Sequence, residues 1–247
     1  MRRCPFSGES RMKKVLTMAA VAVSPFAVAA EDADKIWAAE ANFGYIYKSG
    51  NTNSENLDFR SKATRDGEKW RNIYKLEAAN ETSEEQRTAE SYFGSAKADY
   101  KIGERSYLFG LFEYTKDRFS GFDYESALTF GYGQDILKNE IHELSADIGV
   151  GYRVTEVETT GDTEEDAIVR VGAYYLWNIN ENTIFDEDFS YEAGEERNIT
   201  KSLTRLRVKM NSSLSLSLAY EIKHTSDVPV GTKNSDRTTL VGISYTY

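Results

Sequence analysis

The sequence predicts an all-β protein: a single transmembrane antiparallel up-and-down β-barrel of about 12 strands, with long extracellular loops and short periplasmic turns. Three observations predict it. The chain opens on an export leader, the remainder alternates apolar and polar residues in segments of about ten, and the connections between segments alternate between longer and shorter.

The leader comes first. Lys13 and Lys14 precede the apolar run "VLTMAAVAVSPFAVAA", Val15 to Ala30. A basic stretch, a short apolar stretch and small residues at its end describe a secretory signal peptide. Residues 1–30 are therefore expected to be removed, with Met12 as the expected true start, and residues 31–247 to form one barrel domain. Cys4 lies in the leader, so the mature chain has no cysteine. That excludes disulfides, cysteine metal sites and cysteine nucleophiles. The mature chain keeps 25 basic and 39 acidic residues, a net charge of −14. Nucleic acid is not expected as a partner, because its binding needs a basic patch.

The strands follow in order. "IWAAEANFGYIY" places Trp37, Ala39, Ala41, Phe43, Tyr45 and Tyr47 on one face, with Glu40 and Asn42 opposite. "NLDFRSKAT" sets Leu57, Phe59 and Ala63 against Asp58, Arg60, Lys62 and Thr64. "WRNIYKLEAA" sets Trp70, Tyr74, Leu76 and Ala78 against Arg71, Lys75 and Glu77. "SYFGSAKADYKI" sets Tyr92, Gly94, Ala96, Ala98 and Tyr100 against Ser95, Lys97 and Asp99. The other eight are "SYLFGLFEYTK", "YESALTFGYGQD", "HELSADIGVGYRV", "AIVRVGAYYLW", "TIFDEDFSYE", "TKSLTRLRVKM", "SLSLSLAYEIKH" and "RTTLVGISYTY". Alternation is weaker in the fifth, eighth and ninth. Longer connections such as "NETSEEQRTAE", "TEVETTGDTEED" and "TSDVPVGTKNSD" alternate with shorter ones such as "RDGEK", "GER" and "LKNEI". An even-stranded meander then has its long loops at one end and both termini at the other.

A bilayer explains the combination. In lipid every backbone N–H and C=O must be paired within the protein, so a sheet must close on itself. Apolar residues then face outward and charges inward, and a low mean hydropathy of −0.56 follows because only one face of each strand meets lipid. The expected lumen-lining residues are Glu40, Asp58, Arg60, Lys62, Arg71, Lys75, Glu77, Lys97, Asp99, Asp147, Arg170, Arg205 and Arg207. Trp37, Trp70, Tyr100, Tyr107, Trp177, Tyr245 and Tyr247 form one expected aromatic girdle. Tyr45, Tyr47, Tyr114, Tyr124, Tyr152, Tyr191 and Tyr220 form the other. Alternation alone also fits a soluble barrel turned the other way round. Glycines inside the strands, such as Gly131, Gly133, Gly149 and Gly151, favour a curved, closed wall.

"GYIYKSGNTNSENLDFRSKATRDGEKW" (Gly44 to Trp70) and "FEYTKDRFSGFDYESALTFGYG" (Phe112 to Gly133) resemble the YdiY-like family of salt-induced outer-membrane proteins, domain of unknown function 481. The resemblance extends over nearly the whole mature chain. It implies an outer-membrane barrel and supplies a location rather than a reaction; neither passage carries a catalytic set.

The remaining chemistry is sparse. No catalytic, cofactor or metal site is expected. The mature chain has two histidines, His142 and His224. His224 with Ser226 and Asp227 suggests a hydrolase only if a loop bend brings base and nucleophile together. The acid-rich connection (Glu156, Glu158, Asp162, Glu164, Glu165, Asp166) suggests divalent cations bridging to lipopolysaccharide, or a solvated loop. "DRFSGFD" is the most distinctive connection. Asp117, Arg118 and Asp123 suit paired neighbours or a constriction, Gly121 a tight turn, and Phe119 a rim contact. Val241, Ile243, Tyr245 and Tyr247 share one face of the last strand and read as the signal handed to the barrel-assembly machinery. A monomer in contact with outer-membrane lipid and lipopolysaccharide is expected. Its function is expected to be that of a non-catalytic envelope protein, and the resemblance implies a link to salt or osmotic stress. The alternatives are a narrow channel for small solutes or ions and, further off, a rim-located lipid- or peptide-hydrolysing enzyme.

Overall fold

The computed structural model describes residues 36–247 except 49–53, 84–85, 119, 159 and 230. The expected leader (1–30) and Phe119 lie outside the described residues. Twelve strands follow in order: β1 (Trp37–Lys48), β2 (Ser54–Asp66), β3 (Trp70–Ser83), β4 (Gln86–Lys101), β5 (Ser106–Asp117), β6 (Phe122–Lys138), β7 (His142–Val157), β8 (Thr163–Asn178), β9 (Thr183–Ala193), β10 (Ile199–Lys209), β11 (Leu214–Thr225) and β12 (Ser235–Thr246). Each pairs antiparallel with its neighbours in sequence, and β1 pairs with β12, so the sheet is a closed barrel.

The closing seam is the shortest ladder. It runs from Glu40↔Thr246 to Gly44↔Gly242, whereas the β1–β2 ladder runs the full length of β1. Its end is fastened by the terminal residue. The Tyr247 N–H donates to Ala39 O at 2.9 Å and the Ala39 N–H to Tyr247 O at 3.2 Å. A sheet without an edge leaves no backbone row unpaired, which hydrocarbon requires.

The outer wall is apolar. Leu76, Phe130, Ile148, Val150, Leu216, Val241 and Ile243 are half or more exposed, while Asp99, Arg153 and Asp186 are completely buried. The alternation left the direction of the faces open; the closed sheet turns its charged face inward, the arrangement a bilayer demands and water does not. Trp37, Trp70, Tyr100, Trp177, Tyr245 and Tyr247 are exposed toward the short-turn end, and Tyr45, Tyr114, Tyr152, Tyr191 and Tyr220 toward the other.

Tyr107 departs from this belt. It lies inside, 2% exposed, in a buried cluster with Phe109 and Leu111. Both faces of β5 are apolar, since Leu108 and Phe112 occupy the outer one, so alternation did not orient it. Glycines decide the matter. Tyr107 pairs in register with Gly133, and Phe109 with Gly131. A Cβ at Gly133 would come within 2.3 Å of Tyr107 Cε2 and Cζ, and one at Gly131 would meet Phe109 Cε1 at 2.7 Å. The two rings lie in room that only glycine leaves on β6.

The strands also outrun the expected boundaries at the long-loop end. "NETSEEQRTAE" is mostly ladder, with only residues 84–85 between β3 and β4, and residues 158–162 separate β7 from β8. Backbone pairing does not need an apolar face once the strand leaves the hydrocarbon, so alternation stops before the ladder does. The β11–β12 connection, residues 226–234, stays long.

Candidate functional site

The lumen holds the densest chemistry of the described residues. Arg205 and Arg207 of β10 both bind Asp186 of β9 at 2.7 Å, and both reach Glu40 of β1, at 3.4 and 2.6 Å. Arg60 of β2 pairs with Asp58 at 3.2 Å, with Glu77 at 3.4 Å and with Glu221 of β11. Arg71 of β3 binds Asp99 at 2.8 Å and Asp135 at 3.3 Å. Lys97 of β4 and Arg170 of β8 share Asp147 of β7, at 2.7 and 2.8 Å. Removing these charges from bulk water costs several kcal/mol per ion, and only pairing of this quality offsets it.

At mid-height, side chains cross the lumen. Lys75 of β3 pairs with Asp188 of β9. The Lys201 ammonium of β10 sits 5.2 Å from the ring centre of Phe93 on β4, and that of Lys62 on β2 sits 4.4 Å from the Tyr174 ring on β8. In each case the partners are six strands apart, on opposite walls. Glu113 of β5 adds contacts to Arg170 at 3.7 Å and to Lys201 at 4.0 Å. Together they form a septum. A cavity of about 360 Å³ lies on its short-turn side and one of about 440 Å³ on the other, and Lys75, Phe93, Glu113, Arg170 and Asp188 line both.

The long-connection end is roofed. Arg197, between β9 and β10, pairs with Glu164 and lies 3.8 Å from Glu125 and 4.3 Å from the Phe122 ring centre. Its carbonyl accepts a hydrogen bond from Arg153 Nη2 at 2.8 Å, and Arg153 binds Asp166 at 2.7 Å. The Asn198 N–H donates to Ser226 Oγ at 2.8 Å, tying this connection to the one after β11. Gly121, at φ +83°, brings the β5–β6 turn against Pro229 and Thr232 on the opposite side of the mouth. In "DRFSGFD", Arg118 is held by Glu90 at 3.0 Å and Asp123 by Lys116 at 3.2 Å, and the Asp117 carbonyl accepts from Ser120 Oγ at 2.8 Å. Of the acid-rich stretch, Glu164 and Asp166 lie on β8, where Arg197 meets the first and Arg153 of β7 the second, and Glu165 accepts a hydrogen bond from the Tyr152 hydroxyl.

Other singled-out residues are not brought together. His224 Nδ1 lies 2.8 Å from Ser235 Oγ on β12, while Ser226 Oγ serves the backbone of Asn198. His142 bonds the Tyr175 hydroxyl at 2.9 Å and stacks on Trp177. Val241, Ile243, Tyr245 and Tyr247 lie exposed on the outer wall. Sequence reasoning missed Asp186, Asp188, Glu113, Glu221, Tyr174, Arg153 and Arg197. Tyr174 shares the parity of Arg170 on β8 and Arg153 that of Asp147 on β7, so both were within reach of the alternation, whereas Asp186, Asp188, Glu113 and Glu221 lie on β9, β5 and β11, for which no lumen residue was expected. Arg197 lies in a connection and carried no such signal.

Comparison with known proteins places the chain. The uncharacterised protein YdiY of Escherichia coli (strain K12) is 27% identical over 219 residues, covering 86% of this chain and 84% of that protein. Among solved structures, the NanC porin aligns at a TM-score of 0.49 with 15% identity, over 84% of this chain and 96% of that one. The translocator domain of the autotransporter NalP from Neisseria meningitidis aligns at 0.46 with 14% identity, over 85% and 86%. The family described as "protein of unknown function, DUF481" matches residues 41–247, from within the first strand to the last residue, and the chain belongs to that family.

Proposed function

We propose that this chain is an integral, non-catalytic barrel of a Gram-negative outer membrane, exported through its leader, whose lumen rests shut. The observation that carries the reading is the septum: Lys75–Asp188 and the Lys62–Tyr174 and Lys201–Phe93 contacts join opposite walls at mid-height, beneath a roof of tied connections. The test is conductance. Purified protein added to planar bilayers gives no resolved steps at moderate salt; steady steps from the wild-type chain would overturn the closed reading.

A second reading, a narrow conduit for small solutes or ions, has its own support. The septum consists of side chains alone, with cavities on both sides, so rotamer changes among Lys75, Asp188, Phe93, Glu113 and Arg170 are a route to joining them. Charge-lined constrictions of this kind discriminate among ions. The expected link to salt or osmotic stress belongs with the closed reading. A strain lacking the chain should grow poorly in high sodium chloride, and unimpaired growth counts against that link. For the hydrolase alternative, His224→Ala is expected to leave lipid hydrolysis unchanged.

A further inference from the structure

The ladder between β2 and β3 sets Lys62 directly beside Lys75. Both side chains line the short-turn cavity. Like charges opposite one another in a sheet repel, and the low dielectric of a protein interior strengthens the repulsion. Around the same cavity Arg71, Lys97 and Arg170 each have a carboxylate within 3 Å, and Asp188 serves Lys75. Lys62 has none within 4.0 Å among the described residues and rests on the Tyr174 ring instead. The lining carries six basic and six acidic side chains, yet none of these acids is in direct contact with Lys62. The cavity in front of it, about 360 Å³, is continuous with the exposed rim residues Asp66, Lys138 and Glu143. That volume falls within the range of small-molecule sites.

We propose that Lys62 and Lys75 form a subsite for the oxyanion group, carboxylate or phosphate, of a small solute that enters from the short-turn end. Two ammonium groups on adjacent strands supply donors to one compact anion, with the Tyr174 ring behind the Lys62 ammonium. Ammonium is a compact point charge with three donors, suited to a single oxyanion approached from open space. The site lies on one side of the septum, so occupancy does not require the lumen to open and stands apart from the conductance result.

The test is calorimetric titration of the refolded, detergent-solubilised barrel with three probes: glucuronate, glucose as its neutral counterpart of similar size, and the smaller inorganic phosphate. Saturable binding of glucuronate identifies a carboxylate site, binding of phosphate a phosphate site, and glucose is expected not to bind. Lys62→Met should weaken the anion at least tenfold, Lys62→Arg should restore most of the affinity, and Lys116→Met at the opposite end of the barrel should leave it unchanged. Folding of each variant is read from the heat-dependent shift in electrophoretic mobility. Lys62→Gln replaces Lys62→Met if the latter does not fold. Absence of saturable binding by either anion, or equal affinity in the Lys62 variant and the wild type, overturns the proposal.

Discussion

Lys75 on β3 and Asp188 on β9, six strands apart around a twelve-stranded wall, meet in an ion pair at the middle of the lumen. Both side chains keep about 30% of their surface exposed to the two cavities. The pair is thus a partition between the two cavities as well as a tie between opposite walls.

Breaking the pair from one side and removing it altogether should differ. Lys75→Ala leaves Asp188 without its ammonium and is expected to cost about 1–3 kcal/mol in urea unfolding in detergent. The Lys75→Ala/Asp188→Ala double variant should recover part of that loss, because no uncompensated carboxylate remains. In planar bilayers the double variant should give resolved conductance steps. A silent double variant would show that the roof, rather than the septum, closes the lumen.

The completely buried Asp186 holds two guanidinium groups at once, with Glu40 as their second carboxylate. Asp186→Ala is expected to destabilise the barrel by about 3–5 kcal/mol, since it strands two buried cations. Lys116→Ala, which removes the exposed pair with Asp123, should cost no more than about 1 kcal/mol. Unfolding midpoints of the two variants side by side decide it; equal losses would mean the Asp186 network is solvated.

Tyr107 and Gly133 form a ring-on-backbone contact that depends on the absence of a Cβ. Gly133→Ala should destabilise by about 1–3 kcal/mol through overpacking. Tyr107→Ala in the same chain should relieve most of the clash, so the two substitutions should be strongly non-additive. Additive losses would place the ring elsewhere.

Removing Tyr247 deletes both seam hydrogen bonds to Ala39 and the last outward aromatic. Assembly in cells should suffer before stability does: the yield in the outer-membrane fraction should drop several-fold while material refolded in detergent keeps most of its unfolding midpoint. A normal cellular yield would argue against the last strand as an assembly signal.

Strand number and order were legible because most of the strands carry their own period of two, a local property readable within about ten residues. The strand ends were less so. Between Asn80 and Glu90 the side chains are polar on both faces, and the ladder continues there on backbone bonds that leave no side-chain pattern. β5 was legible as a strand but not in its orientation, because Leu108 and Phe112 are as apolar as Tyr107 and Phe109. Its facing was set by glycines more than twenty residues away on the next strand.

The sequence by itself determined the all-β class, the twelve segments and which residues share a face, down to the charged set from Glu40 to Arg207. Only the tertiary structure decided which of those charges meet. Lys75 finds Asp188, Arg60 finds Glu221 and Lys62 is left over, because pairing across a lumen depends on barrel diameter and on the stagger of strands far apart in the chain. Neither quantity is written into any one segment; both arise when β12 closes on β1.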